Sequence, residues 1–327
     1  MDLDRRQFLL ATGGTLAAGT LPGLAQAQNL ETARIVVGFP PGGTTDAVAR
    51  RMADKLRGNY AKVVLVDNKP GAGGRIGVDE LRRNPPDGST LLLTPASIIT
   101  LYPHIFTKLP YTTDDVSPVS TACIISFAFG VGPAVPTSVK NLKDYFAWVK
   151  ANPAQAGYAT PGAGTPPHFL GMLLSKESGV ELNHVPYRGS APGIQDLVGG
   201  QIPAMSSPIG DYLPHLASGK LRVLATSGPK RSRFTPDVPT YAEQGFPALQ
   251  IQEWYGFFLP GKASPEAVTR AADAIRAAVA QPDVAEAFSQ LGFEASAITP
   301  ADMAKAVKVE SAAWGPLVKR VGFTPEA

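Results

Sequence analysis

The sequence predicts an α/β protein of two lobes, each a mainly parallel sheet flanked by helices. Short apolar runs alternate with amphipathic stretches of helical period, and that alternation marks a parallel sheet covered on both faces. Glycine (33) and proline (31) fall mostly between these runs, so they read as punctuation of short elements rather than as one disordered block. The alternation also occurs in two series, one before and one after the apolar stretch around Phe127.

In the first series Arg34–Phe39 reads as a buried strand. The stretch Thr44–Arg57 follows as a helix, because Val48, Met52 and Leu56 recur on one face. Lys62–Asp67 is a second strand, Ile76–Arg83 a short helix and Leu91–Thr94 a third strand. The second series runs helix Leu142–Ala151, strand Gly157–Thr160, helix Pro167–Ser178, strand Asn183–Tyr187, helix Ala191–Gly199 and strand Leu221–Thr226. The C-terminal part is helical over Pro265–Ala280, Pro282–Leu291 and Pro300–Val321. Each begins with proline, which suits the first helical turn.

The first 27 residues are a separate object. Arg5 and Arg6 precede Phe8, Leu9 and an apolar stretch that ends in Leu24-Ala25-Gln26-Ala27, a small-x-small cleavage site. This is an export signal of twin-arginine appearance, and the expected mature chain starts at Gln28, in the periplasm. A membrane anchor is disfavoured because Gly13, Gly14, Gly19 and Pro22 break the stretch, which is short of the ~20 residues a span needs.

Several function classes lose support here. The net charge of +3 comes from scattered bases without an aromatic-interleaved patch, so no nucleic-acid partner is expected. The single cysteine, Cys123, excludes an internal disulfide and reads as a buried, inert thiol. No G-x-S-x-G or H-E-x-x-H motif occurs, and the four histidines lack metal-ligand spacing, so neither enzyme nor metal is expected. PPGGTTD lacks the lysine of a P-loop. PGAGGRIG spaces its glycines one residue too long for a dinucleotide fingerprint, and no acid ends the following strand. An exported dinucleotide-dependent oxidoreductase stays as the alternative, since the twin-arginine route carries cofactor-loaded enzymes. The first reading needs no cofactor.

The glycine loops can still supply backbone N–H groups. A helix N-terminus carries unpaired donors and partial positive charge, and glycine admits close approach. A carboxylate fits such a place without a basic side chain. For VVGFPPGGTTD alone, a plain turn with Thr44 as helix cap is the simpler reading. In the second series, however, TPGAGT repeats the order strand, proline, glycines, hydroxyl, helix. Two such termini facing each other would hold the two ends of a small dianion.

The sequence resembles the substrate-binding receptors of tripartite tricarboxylate transporters, the Bug family. The resemblance rests on IVVGFPPGGTTDAVAR, VVLVDNKPGAGGRIGVDEL with PPDGSTLLL, GYATPGAGTPPHF, LNHVPYRGSAPGIQDLVGGQI, LPHLASGKLRVLATSG, and DVPTYAEQGFP with WYGFFLPGKASPEAV, in family order. It implies a two-lobed periplasmic-binding-protein fold of type II that closes on a small mono- or dicarboxylate. One lobe would combine residues 28–128 with 253–327, the other would hold 129–252. The implied partners are the membrane components of such a transporter, with the receptor a monomer. A receptor for sensing rather than uptake is an alternative.

The implied site is Phe39, Gly42, Gly43, Thr44 and Thr45 on one wall, with Asp46 ordering the loop. The other wall offers Thr160, Gly164, Thr165 and His168, with Tyr187, Arg188 and Gly189 from HVPYRG. His168 either donates to a carboxylate or packs against the Val185–Tyr187 strand. Arg188 either pairs with ligand or supports the loop at the solvent, the second being preferred. Tyr187, Trp254 and Tyr255 read as core or hinge rather than as stacking residues. Two departures concern the pocket. Ser207 stands where the family commonly has aspartate, which leaves that wall neutral and puts amino-acid ligands in doubt. Ser97-Ile98-Ile99-Thr100 is greasier than usual, so Ser97 would sit on a more apolar rim.

Overall fold

A computed structural model describes residues 30–324. The export signal and its cleavage site lie outside the described residues. The elements begin with strand β1 (Leu30–Val37), helix α1 (Thr44–Leu56), β2 (Ala61–Asn68), α2 (Arg75–Arg82), β3 (Thr90–Pro95), and the short helices α3 (Ser97–Thr100) and α4 (Tyr102–Ile105). Then come β4 (Val116–Val131), α5 (Leu142–Ala151), β5 (Gly157–Thr160), α6 (Pro166–Ser178), β6 (Asn183–Pro186), α7 (Ser190–Val198), β7 (Ala204–Pro208), α8 (Leu213–Leu216) and β8 (Arg222–Thr226). The chain ends with β9 (Gln252–Pro260), α9 (Pro265–Val279), α10 (Pro282–Gln290), β10 (Glu294–Ala295) and α11 (Pro300–Val321).

The strands join in the order β2-β1-β3-β9-β4-β7-β5-β6, with β8 and β10 also paired to β4. Each lobe holds a parallel unit of three strands, β2-β1-β3 in one and β7-β5-β6 in the other. Antiparallel β4 joins the two. Its first part, Val116–Ser126, pairs with β9, and its last part, Phe127–Val131, pairs with β7 and β8. A strand of 16 residues reaches roughly 50 Å at ~3.3 Å per residue, long enough to serve both sheets.

Apolar side chains cover both faces of each half. In the first lobe Val48, Met52, Ala271 and Ile275 from α1 and α9 pack on one face, and Val78, Leu81 and Met303 from α2 and α11 on the other. In the second lobe α5 and α6 bring Tyr145, Phe169 and Leu173 to one face, and α7 brings Ile194 and Leu197 to the other. Helix α11 belongs to both lobes. Met303 and Val307 lie in the first-lobe cluster with Trp254 and Phe258, whereas Trp314 and Val318 lie in the second-lobe cluster with Phe169. Cys123 is fully buried in the first-lobe core, and burial pushes its thiol pKa up, as expected for an inert thiol.

Among the described residues no helix is long and apolar enough to cross a membrane, and no group of His, Cys, Asp and Glu is arranged to hold a metal ion.

Candidate functional site

A cleft of about 690 Å³ opens between the two walls that carry the glycine loops. Two other hollows, about 580 and 500 Å³, contain no residue of either loop.

The first wall is the turn from β1 into α1. Ala47 N–H bonds back to Gly43 O, so the N–H groups of Thr44, Thr45 and Asp46 have no acceptor among the described residues. Thr44 does not cap its helix. The cap position is Gly43, without a side-chain cap, and Thr44 Oγ1 lies 3.0 Å from Tyr255 Oη instead. Buried Asp46 orders the loop, accepting from Gly42 N–H at 2.9 Å, Arg50 Nε at 2.8 Å and Asn68 Nδ2 at 2.9 Å. Burial raises the pKa of this carboxyl, but the hydrogen bonds from Arg50, Gly42 and Asn68 outweigh it and leave the pKa below the ordinary value. Gly42 requires glycine, at φ 83°. Gly43 does not: its φ of −76° is ordinary backbone.

The second wall differs from the expected mirror image. Helix α6 starts with Pro166 and Pro167, which have no N–H, and His168 and Phe169 N–H both bond to Thr165 O. Its N-terminus therefore offers the cleft no free helical donor. Helix α7 takes that role: Gly189, at φ 100°, caps it, and the N–H groups of Ser190 and Ala191 are without an acceptor among the described residues.

Of the residues expected at the site, Phe39, Gly42, Gly43, Thr44, Thr45, Ser97, Thr165, Arg188 and Gly189 line the cleft. Thr160, Gly164, His168, Tyr187 and Ser207 stand behind it. Thr160 Oγ1 is 2.7 Å from His184 Nε2. Gly164 N–H donates to His168 Nδ1 at 3.1 Å, and the two imidazoles stack with centroids 3.7 Å apart. Burial holds both histidines at a pKa of about 4, and for His168 the neighbouring ring adds to the effect. Both are thus neutral at pH 7 and bring no charge to a ligand. Tyr187 Oη donates to Asp196 Oδ2 at 2.7 Å, and Ser207 is wholly buried beside Asp211. Arg188 is exposed on the rim.

Sequence reasoning missed Ser190, Ala191, Asp211 and Glu253, all of which line the cleft. Gly189 followed by serine and a proline two residues later was a usable signal for the α7 terminus. Glu253 is 6% exposed and accepts from Ser97 N–H at 3.0 Å, across 156 positions of sequence. Burial lifts its pKa to about 8, against the Ser97 hydrogen bonds and helped by the charge of Glu310. Glu310, on α11, accepts from Trp254 Nε1–H and is raised by burial to about 7. The dinucleotide alternative finds little room at PGAGGRIG: a side-chain atom at Gly74 would meet Ile98 and Phe39, and one at Gly38 would meet Gly74. One at Gly77, on α2, would likewise meet Gly38 just past β1. Gly71, Gly73 and Gly74 have positive φ, so local packing and backbone conformation account for these glycines.

These titrations act in opposite directions on stability. A carboxyl raised in the folded state stabilises the fold below its unfolded pKa and loses that contribution as pH rises through the folded value. For Glu310 that window is about pH 4.5 to 7. The depressed histidines do the reverse, contributing above about pH 6.5 and losing it toward pH 4. The parent profile is therefore partly cancelled, and a difference measurement is cleaner. Glu310→Gln should gain stability relative to the parent as pH rises from 5 to 8, on the order of 2 kcal/mol. Urea melts at several pH values measure it, and a constant difference would contradict the assigned titration.

The fold and the cleft define a class: a two-lobed α/β chain of the periplasmic binding-protein kind. The chain belongs to the tripartite tricarboxylate transporter family receptors, whose model matches residues 48–323. BugT of Bordetella pertussis is 31% identical over 317 residues, covering 96% of this chain and 95% of that protein. MatC from Rhodopseudomonas palustris, solved with bound malate, is 27% identical with a TM-score of 0.76, over 88% of this chain and 98% of that one. An R. palustris protein solved with adipate is also 27% identical, with a TM-score of 0.81 over 90% and 98% of the two chains. The protein is thus a solute-binding receptor of the Bug type.

Proposed function

We propose that this receptor captures a small mono- or dicarboxylate between its lobes and delivers it to the membrane components of a tripartite tricarboxylate-type transporter. One observation carries the reading. The N-termini of α1 and α7 line the same cleft, each with backbone N–H groups that lack acceptors among the described residues. A helix N-terminus carries unpaired donors and partial positive charge, and a carboxylate oxygen can accept from two or three of these groups at once. The malate and adipate held by the two R. palustris relatives are acids of this kind.

The lobes would be residues 28–128 with 253–327, and 129–252, with the last turns of α11 reaching across. Titration calorimetry with malate, adipate and related acids tests binding. Small-angle scattering should show a smaller radius of gyration at saturation, and an unchanged radius would count against a clamp. Binding is assigned to the monomer, which sedimentation checks. Export is assigned to the twin-arginine route with cleavage after Ala27. Replacing Arg5 and Arg6 by lysine should then block appearance in the periplasm, and normal export would remove that route while leaving the receptor reading intact.

A further inference from the structure

The cleft holds more acid than a receptor for a plain anion needs. Among its lining residues the charged side chains are Arg188, Asp211 and Glu253. Arg188 is exposed at the rim, whereas Glu253 is 94% buried and Asp211 half-buried. Asp211 ends the turn after β7 and is held by Ser207 Oγ, which lies 3.3 Å from Ser190 Oγ at the start of α7. An acid therefore stands beside the free N–H groups of Ser190 and Ala191. Glu253, on β9 near the first wall, uses Oε1 on Ser97 N–H.

No basic side chain acts on either carboxyl. Burial of an uncompensated carboxylate is costly, and two such groups around an incoming anion repel it unless both stay protonated. A ligand that brings its own positive charge removes both penalties. Ser207 is neutral, and Asp211, four residues on and in contact with it, gives that wall a carboxyl.

We propose that the ligand of this cleft is a carboxylic acid that also bears a protonated nitrogen, with Asp211 and Glu253 as the specificity-determining residues that select it. The inference rests on the carboxylate-receptor reading. The ligand carboxylate takes the N–H groups of α1 or α7, and its ammonium donates to Asp211 and Glu253. Glu253 ionises as it binds. Burial holds its pKa at about 8 in the free protein, so binding an ammonium beside it at pH 7 releases protons to the buffer.

Three matched pairs test this in the full mature chain: succinate and aspartate, glutarate and glutamate, 3-phenylpropionate and phenylalanine. Calorimetry at pH 7 in two buffers of different ionisation enthalpy reads affinity and proton exchange together. In at least one pair the amino member should bind about tenfold or more tighter and release protons. Asp211→Asn or Glu253→Gln should weaken that member by about tenfold to a hundredfold and spare its partner. The proton count on the unmutated protein needs no variant to fold. Equal or tighter binding of the unsubstituted acids, without proton release, overturns this inference and leaves the carboxylate reading standing. Binding of none of the six, nor of malate or adipate, overturns both.

Discussion

Trp314→Ala should lower stability by about 3–5 kcal/mol, the usual cost of removing a buried tryptophan. Trp314 is 8% exposed, and its ring meets Phe169 edge-on at 5.6 Å, with Phe323 packed against the same phenylalanine. Those contacts hold the end of α11 on the second lobe, while Met303 at 0% exposure holds its start on the first. The loss should therefore have two parts. Urea unfolding reads the stability, and scattering of the ligand-free protein reads the coupling, which should show a wider spread of lobe orientations. Met303→Ala is the control: it should cost about 2–5 kcal/mol without freeing the second lobe. If both variants widen the distribution equally, α11 is not the strap that its two sets of contacts describe.

The helices were legible because their starts carry local chemistry. Asn141 and Ser264 accept from the N–H groups of Asp144 and Ala267, and Thr299 from that of Asp302, and the C-terminal helices begin with proline. Their limits are therefore set by residues adjacent in sequence. Strand β4 was not legible at its full length. Serines, threonines and Pro118 interrupt its apolar pattern, and it is a strand because β9, more than 120 positions away, pairs with it. The same limit governs the site. The glycine loops announce themselves through composition, but Glu253 reaches Ser97 only through β3–β9 pairing, and Asp211 meets Ser190 only because β7 lies beside β5. The silence of the α6 terminus was the opposite case, since Pro166 and Pro167 visibly lack N–H groups. Matching the two loops by their glycines overlooked the donors that follow them.

Asp46→Ala should lower ligand affinity more than tenfold and stability by about 2–4 kcal/mol, because one buried carboxylate organises the whole first wall. Its oxygens hold Gly42 N–H, both the Nε and Nη2 of Arg50, and Asn68 Nδ2, and Asn68 in turn donates to Phe39 O at 3.0 Å. Alanine leaves the Gly42 N–H without its acceptor and the Asn68 amide with Phe39 O alone. The left-handed angle at Gly42 then has no hydrogen bond to fix it, and the α1 donors lose their aim. Removing a single hydroxyl is milder: Thr44→Ala, which deletes the contact to Tyr255, should cost at most ~1.5 kcal/mol in binding. The pH dependence has a definite sign. Asp46 is depressed below its ordinary value, so its contribution is present above about pH 4 and is lost as pH falls through the lower folded value. The stability gap between parent and Asp46→Ala should therefore be constant from neutral pH down to about 4 and close below it. Calorimetry with the acid that binds the parent, beside urea melts over that range, measures both effects. An Asp46→Ala protein that binds as tightly as the parent would show that the ligand does not depend on this loop.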